Sequence, residues 1–538
     1  MRKRGLVIFV CLLMTGLVFS ENVSTKGFVY ILEENNSVPF SDGYVSNGST
    51  FTKIEENGYY SIPRSEDGFV FLVIPDGYRC SEWYVKDKEE HNFILEPYEE
   101  KGVFVVVSDI HYADDPDDFS DALPDREMID NPDHYMKKLK EMLTGISPDF
   151  IICNGDMIAD TANVEDEIAY RWANKVKSYL DISDIPTFYV VGNHEIEKKK
   201  DNPIVIYQDV FGPDYYSFNY LGNHFIILNS HNVVNGSLQY EIDSTQLDWL
   251  KQDIENISQE VPITFFSHEP IFSLSRTDNS EQLVQILSNT FSNHISGHWH
   301  TTRTFFKEPF LELTCGAVCG GWWEGDSAYG DAYGFTLFEL HRGKIDYAYI
   351  KIDEYPSVWF DLKNTETPLS GMEYLRIVVF PNTSESISVL LNDMSYLCDV
   401  FSRQMSYWTE YYIFINFATC TDGINKIGIK LGDQLYSKEV YVKNNPVTMK
   451  TIKTNSQAFV GLDVLLSDCI NTGQSGKTYI FNDGSDVFMT TLEKCVTLPF
   501  EVTKNQKYSI FGIYRDSEVV ADPMRIIVSE GLVHEKIE

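Results

Sequence analysis

Five short polar blocks in the middle of the chain carry residue types that bind metal ions and move protons. They are Asp109-Ile-His111, Gly155-Asp156, Gly192-Asn193-His194-Glu195, Ser267-His268 and Gly297-His298-Trp299-His300. Each follows an apolar run that reads as a β-strand. Carboxylate, amide and imidazole together suit two first-row divalent cations, with imidazole for Zn, Fe or Mn and carboxylate oxygen for the harder ions. A Gly beside Asp156, Asn193 and His298 lets the backbone approach closely where several loops converge. One Asp-x-His or Gly-Asp is commonplace, and a single buried His needs no function. Five blocks in order, each after an apolar run, carry the reading.

The elements that must position these blocks lie between about residues 100 and 352. Apolar runs at Val103 to Val107, Phe150 to Cys153, Pro186 to Val191, Phe225 to Leu228 and Pro262 to Phe266 read as strands. Helical stretches alternate with them at His134 to Leu143, within Glu165 to Leu180 and around Leu247 to Ile254. Continuous apolar strands broken by helices predict an α/β core whose sheets are covered on both faces. In such folds functional side chains gather on loops at the carboxyl ends of strands.

The flanks read differently. Residues 21–99 show short strands and turns, such as Gly68 to Ile74 closed by Pro75-Asp-Gly-Tyr78, and predict a small β-sandwich. Residues 353–538 return to strands: Leu375 to Phe380, Ile387 to Leu391, Tyr411 to Phe417, Lys426 to Leu431, Lys477 to Phe481, Lys507 to Tyr514 and Met524 to Val528. They predict one or two β modules with a break near Pro446. Thr472-Gly-Gln-Ser-Gly-Lys-Thr478 imitates a phosphate loop but lacks the first glycine, since that position is Asn471.

The central blocks resemble those of the calcineurin-like metallophosphoesterases over roughly residues 103–345, with every spacing intact. The resemblance implies a four-layer αββα sandwich of two mixed sheets flanked by helices, an α/β (α+β) class. It implies two divalent metal ions (Mn, Zn or Fe): Asp109, His111 and His300 on the first, Asn193, His268 and His298 on the second, and Asp156 bridging. It also implies hydrolysis of phosphoric monoesters or diesters, by a metal-activated hydroxide attacking phosphorus in line. His194 follows a ligand without being one, and would protonate the leaving oxygen or orient a neighbour. Glu195, Asp160 and Asn154 are candidates to support the ligands. Arg303, His231, Trp322 and Trp323 are candidate substrate contacts. Gly320-Gly-Trp-Trp-Glu324 with Tyr329 would wall the pocket or form a seam to the carboxyl-terminal region. The alternative is a surface- or polymer-binding protein on the same scaffold with little or no activity; the intact ligand set favours the enzyme.

Charge and targeting bound the partners. Eighty acidic residues against 43 Lys and Arg give a net charge of −37, a poor match for nucleic acid and compatible with a small phosphate ester. Nine acids crowd Tyr112 to His134, directly after two ligands. Such runs are usually solvated; rimming the cleft, they would repel polyanions. Residues 1–20 have a basic start and an apolar run too short to span a bilayer. They predict a signal peptide and export to the periplasm, cell surface or medium, with no transmembrane span in the mature chain. Eight cysteines would remain, too sparse for a disulfide scaffold, and Cys153 reads as a buried small hydrophobe.

Overall fold

A computed structural model describes residues 24–442, apart from 34–35, 66, 273–276, 278, 288–291, 308–309, 328–330, 342–343, 363–368, 370–371 and 422, and then the backbone of six strands between 477 and 536. The predicted signal segment 1–20, Tyr329, the break near Pro446 and residues 472–476 of the imitation phosphate loop lie outside the described residues. Lys477 opens the strand Lys477–Asn482.

Two mixed sheets form the centre. The first runs Thr187–Val190, Phe150–Asn154, Val103–Val107, Gly334–His341, Lys344–Lys351, parallel among its first three strands and antiparallel after them. The second runs Tyr216–Tyr220, Asn223–Ile227, Ile263–Phe266, Ser292–Ser296, Phe310–Thr314, Arg303–Lys307, with four parallel strands at its centre. Period-two side-chain alternation explains why Val103 to Val107 is apolar throughout. Val103, Val105 and Val107 pack into the core shared with the helices Pro132–Ile146 and Asp166–Leu180. Phe104 and Val106 point the other way, into the core between the sheets. There Phe104 stacks on Phe150 and Phe338 at 5.1 and 4.7 Å, and Phe188 stacks on Phe218 at 4.2 Å. The helices Ser244–Glu255 and Ser280–Leu287 bury Leu247, Trp249, Leu283 and Leu287 in the core of the second sheet. This is the four-layer αββα arrangement. The first long helix starts at Pro132, two residues before the expected stretch, because proline's fixed φ suits a first helical position and its missing N–H costs nothing there.

The amino-terminal strands form one sheet through Asn36–Pro39, Ser24–Glu33, Phe93–Pro97 and Tyr78–Arg79, and another through Phe51–Lys53, Tyr44–Ser46, Phe69–Leu72 and Tyr84–Lys86. Their apolar residues join the core of the second central sheet. Trp249 Nε1 donates to Ser46 Oγ at 3.0 Å and Tyr215 Oη to the Gly48 carbonyl at 2.7 Å. Residues 357–442 make two four-stranded antiparallel sheets around a core of their own. Strands between 477 and 536 make a further six-stranded sheet. Among the described residues, Cys80, Cys153, Cys315, Cys319 and Cys398 are free, and Cys153 is buried. No described helix is long and apolar enough to cross a membrane.

Candidate metal centre

Every block sits just past the carboxyl end of a central strand, so both sheets deliver their loops to one edge. The backbone there is strained. Of the fourteen non-glycine residues with positive φ among the described residues, seven lie in this cluster: Asp109, His111, Asp156, His298, His300, Trp322 and Trp323. Each such conformation costs on the order of 1–3 kcal/mol and persists only where its surroundings over-determine it. Two of the glycines are required by contact. A Cβ on Gly192 would stand 2.2 Å from Asp156 N and Oδ1, and one on Gly297 would stand 2.0 Å from Ser108 Oγ.

The structure brings all seven ligand candidates together. Asp156 Oδ2 lies 2.9 Å from His268 Nε2, 3.6 Å from His111 Nε2 and 4.0 Å from His194 Nε2. Asp109 Oδ1 lies 3.4 Å from His300 Nε2 and 3.8 Å from His268 Nε2. His111 Nε2 and His300 Nε2 face each other at 3.1 Å, and His298 Nδ1 is 3.0 Å from Asn193 Oδ1. Backbone carbonyls fix several tautomers. His268 Nδ1 donates to Asn154 O at 2.8 Å, His300 Nδ1 to Gly320 O at 2.8 Å and His194 Nδ1 to Ala159 O at 2.5 Å, leaving each Nε2 for the cluster. Glu195 takes no part as a ligand. Its carboxylate accepts from the N–H groups of Asp156, Met157, Ile158 and Gly192, tying the Asp156 loop to the Asn193 loop.

Electrostatics show what the cluster lacks. Burial pushes Asp109 up to about 7, with the charge of Asp156 adding to it. Burial also pulls His111 well below its usual range and His300 down to about 4, so both are neutral imidazoles with a lone pair to share. On His268 burial opposes the charge, yet Asp156 and Asp109 outweigh it and raise the ring to about 10. Neutral imidazoles set around two buried carboxylates can hold a cation. His268 Nε2 makes no aligned hydrogen bond despite its carboxylate neighbours, and His111 Nδ1 and Asn154 Oδ1 are likewise buried without one. The donor set fits divalent metal. Groups within 4.8 Å that could hold a cation include Asp156–His268–His298, His111–Asp156–His194 and His111–His300–Cys319.

Other expectations land differently. Trp322 is half-buried, its ring 3.9 Å from that of His111, 4.7 Å from His300 and 5.3 Å from His194, so it walls the site. Trp323 is fully buried, with Nε1 donating to the carbonyls of Ile110 and His111 at 2.9 and 3.1 Å, which makes it a brace for that loop and not a substrate contact. The side chain of His231 is also fully buried, with Nε2 3.8 Å from Glu269 Oε1. Arg303 begins the edge strand Arg303–Lys307, its charge acting on Asp331. Arg126 is the cation at the cluster. Its guanidinium carbon lies 4.9 Å over Trp322, and its charge helps depress His300. Neither Arg126, the lone base among the acids of Tyr112 to His134, nor Glu269, a buried carboxylate directly after His268, stands out from the sequence alone.

That acid run is largely engaged. Asp114 takes a two-pronged bond from Arg171 at 2.8 and 3.0 Å and another from Trp172 Nε1 at 2.9 Å. Asp133 accepts from Tyr112 and Tyr179, both at 2.6 Å, and Asp115 caps the helix Pro116–Ala122. Asp114 and Asp115 remain exposed to solvent as expected, while the bonds of Asp114 and Asp133 tie the run to residues distant in sequence.

Residues 102–302 match the family profile of the calcineurin-like phosphoesterases. Purple acid phosphatase 13 of Arabidopsis thaliana is 34% identical over 89 residues, 14% of this chain and 15% of that protein. The serine/threonine-protein phosphatase CPPED1 of Bos taurus is 24% identical over 186 residues, 32% of this chain and 58% of that protein. The chain thus spans 15% and 58% of the lengths of these two curated relatives. Among solved structures, a dimetal phosphatase from Danio rerio aligns at 16% identity and a TM-score of 0.37, over 48% of this chain and 98% of that one.

Proposed function

We propose, from the premise that residues 102–302 form a calcineurin-like phosphoesterase domain, that the chain is an exported, metal-dependent hydrolase of small phosphoric monoesters or diesters. The observation that carries this is the convergence of His111, His268 and His300 Nε2 on Asp156 and Asp109, with the Nε2 atoms of His111 and His300 facing one another at 3.1 Å. Asp109, His111 and His300 would hold one metal ion and Asn193, His268 and His298 the other, with Asp156 between them. Bound there, the ions would supply Lewis acidity toward the phosphoryl oxygens and activate water.

The chain's own residues do the rest. His194 keeps Nδ1 on the Ala159 carbonyl, so its Nε2, 4.0 Å from Asp156 Oδ2, is the atom that delivers a proton to the leaving oxygen. Trp322 excludes water from one side of the ligands and offers an aromatic face to an organic leaving group, with Arg126 on that ring to meet negative charge. Engagement of Asp114 and Asp133 within the fold leaves the surface acidic without placing every one of those charges in the path of a phosphate ester. Export rests on the basic and apolar character of residues 1–20.

A panel of chromogenic aryl phosphate monoesters and diesters, run with Mn, Zn and Fe side by side, tests the reading. Turnover with at least one metal and one ester class is expected. A preparation that binds two metals and cleaves neither class favours the binding-protein alternative.

A further inference from the structure

We propose that Glu269 is a positioning residue for the second metal position, holding His298 through ring Nε2 so that Nδ1 stays aimed beside the side-chain oxygen of Asn193. The inference rests on the metallohydrolase reading and adds to it a group outside the seven ligands. Glu269 has no surface exposure, and neither carboxylate oxygen makes an aligned hydrogen bond. Its nearest polar neighbours are two imidazoles on one oxygen: His298 Nε2 at 3.2 Å and His231 Nε2 at 3.8 Å from Oε1. Neither ring nitrogen of His231 makes an aligned hydrogen bond, and its ring sits 6.0 Å from that of His268. A buried carboxylate with such neighbours is costly unless it has an anionic task.

The local backbone aims Glu269 inward. Ser267 Oγ donates to the Glu269 carbonyl at 2.8 Å and meets His294 Nε2 at 2.8 Å, and His294 Nδ1 donates to Glu312 at 2.8 Å. Glu312 also accepts from the N–H groups of Ile271 and Phe272, both at 2.8 Å, and Glu269 N donates to Ser230 Oγ at 3.2 Å. The loop is therefore pinned on both sides of the carboxylate.

His298 stands between two acceptors, Asn193 Oδ1 and Glu269 Oε1. A neutral imidazole has one N–H to give. Given to Glu269, it leaves the Nδ1 lone pair facing the amide oxygen, two donors of electron density converging as a shared cation requires. A carboxylate that accepts from the outer N–H of a metal-bound histidine fixes its ring and raises its basicity. His231 backs the same oxygen from the far side.

The test is cobalt(II) titration of the metal-stripped full chain, followed by visible absorption. Wild type is expected to take two equivalents. Glu269→Ala should weaken one of them by about 10–100-fold, with altered absorption from that site alone, and Glu269→Gln should recover most of the loss because its amide oxygen still accepts from Nε2–H. Equal, wild-type binding of both equivalents by Glu269→Ala overturns the proposal. Equal damage in Glu269→Gln and Glu269→Ala also overturns it, since that would make the charge a direct ligand. Should Glu269→Ala fail to fold, nitrogen-15 histidine spectra of the zinc-loaded wild type decide. A proton on His298 Nε2 supports the proposal, and a proton on Nδ1 contradicts it. Two bound equivalents without phosphoester turnover would sink the enzymatic reading and leave this assignment standing.

Discussion

Two buried clusters of charge in this chain are built on opposite plans. Where the carboxyl-terminal sandwich meets the central domain, Arg376 donates Nε to Asp361 and Nη1 to Glu410, both at 2.9 Å, and Nη2 to the Tyr347 carbonyl at 3.0 Å. Glu410 also accepts from Trp408 Nε1 at 3.2 Å, and Arg403 grips Asp346 at 2.9 and 3.2 Å. With Lys344 Nζ 3.4 Å from Asp346, three cations there meet three carboxylates and the hydrogen bonds close. At the candidate metal centre, two buried carboxylates converge on His268, imidazole nitrogens face one another, and backbone strain collects. A cluster that satisfies itself is a fastening. One that satisfies itself only around added cations is a site.

Substitutions should separate the two. The largest effect belongs to Asp156→Ala, which removes the group proposed to be shared between two metal positions. Bound metal, read by mass spectrometry, and phosphoester turnover should both be lost, turnover by roughly 10⁴-fold or more as when other residues acting as a unit are removed. Next comes His194→Ala, expected to lower kcat by about 10²–10⁴-fold with metal content unchanged; loss of metal would make it a ligand instead. Arg376→Ala should do the converse. Leaving Asp361 and Glu410 buried without their cation costs about 3–5 kcal/mol in urea unfolding, with turnover per metal-loaded molecule unchanged. If Arg376→Ala abolishes turnover in folded protein, the clusters are coupled and the contrast breaks. The smallest effect is Gly297→Ala, where the new methyl meets Ser108 Oγ and costs about 1–3 kcal/mol. Adding Ser108→Ala should restore part of that loss.

How much could be read from the residues follows from the range of each interaction. The strand ends were legible because an apolar run followed by a polar block is local, and the Val103 to Val107 run carried its two-sided burial in plain view. Glu269 was missed although Ser267-His268-Glu269-Pro270 directly follows the strand Ile263–Phe266; an acid one residue past a ligand was the signal. Arg126 was hidden among acids. The engagement of Asp114 with Arg171 and of Asp133 with Tyr112 and Tyr179 joins positions as much as 57 residues apart, which no local pattern reveals. The same holds for the amino-terminal strands. A change of composition near residue 100 marks a change of secondary structure, yet Ser46 and Gly48 bond to Trp249 and Tyr215 across it. Trp323 read as a pocket aromatic because an indole's type does not say which way its N–H points.

The central claim is that the edge where both sheets converge is a two-metal hydrolytic site. It is tested most directly by stripping the full chain, reloading it with Mn or Zn, and measuring bound metal and aryl phosphate turnover on the same sample. Two equivalents per chain, with turnover that rises as the second is filled, is the predicted result. Two equivalents without turnover of monoester or diester, or turnover that persists in the stripped chain, would contradict it.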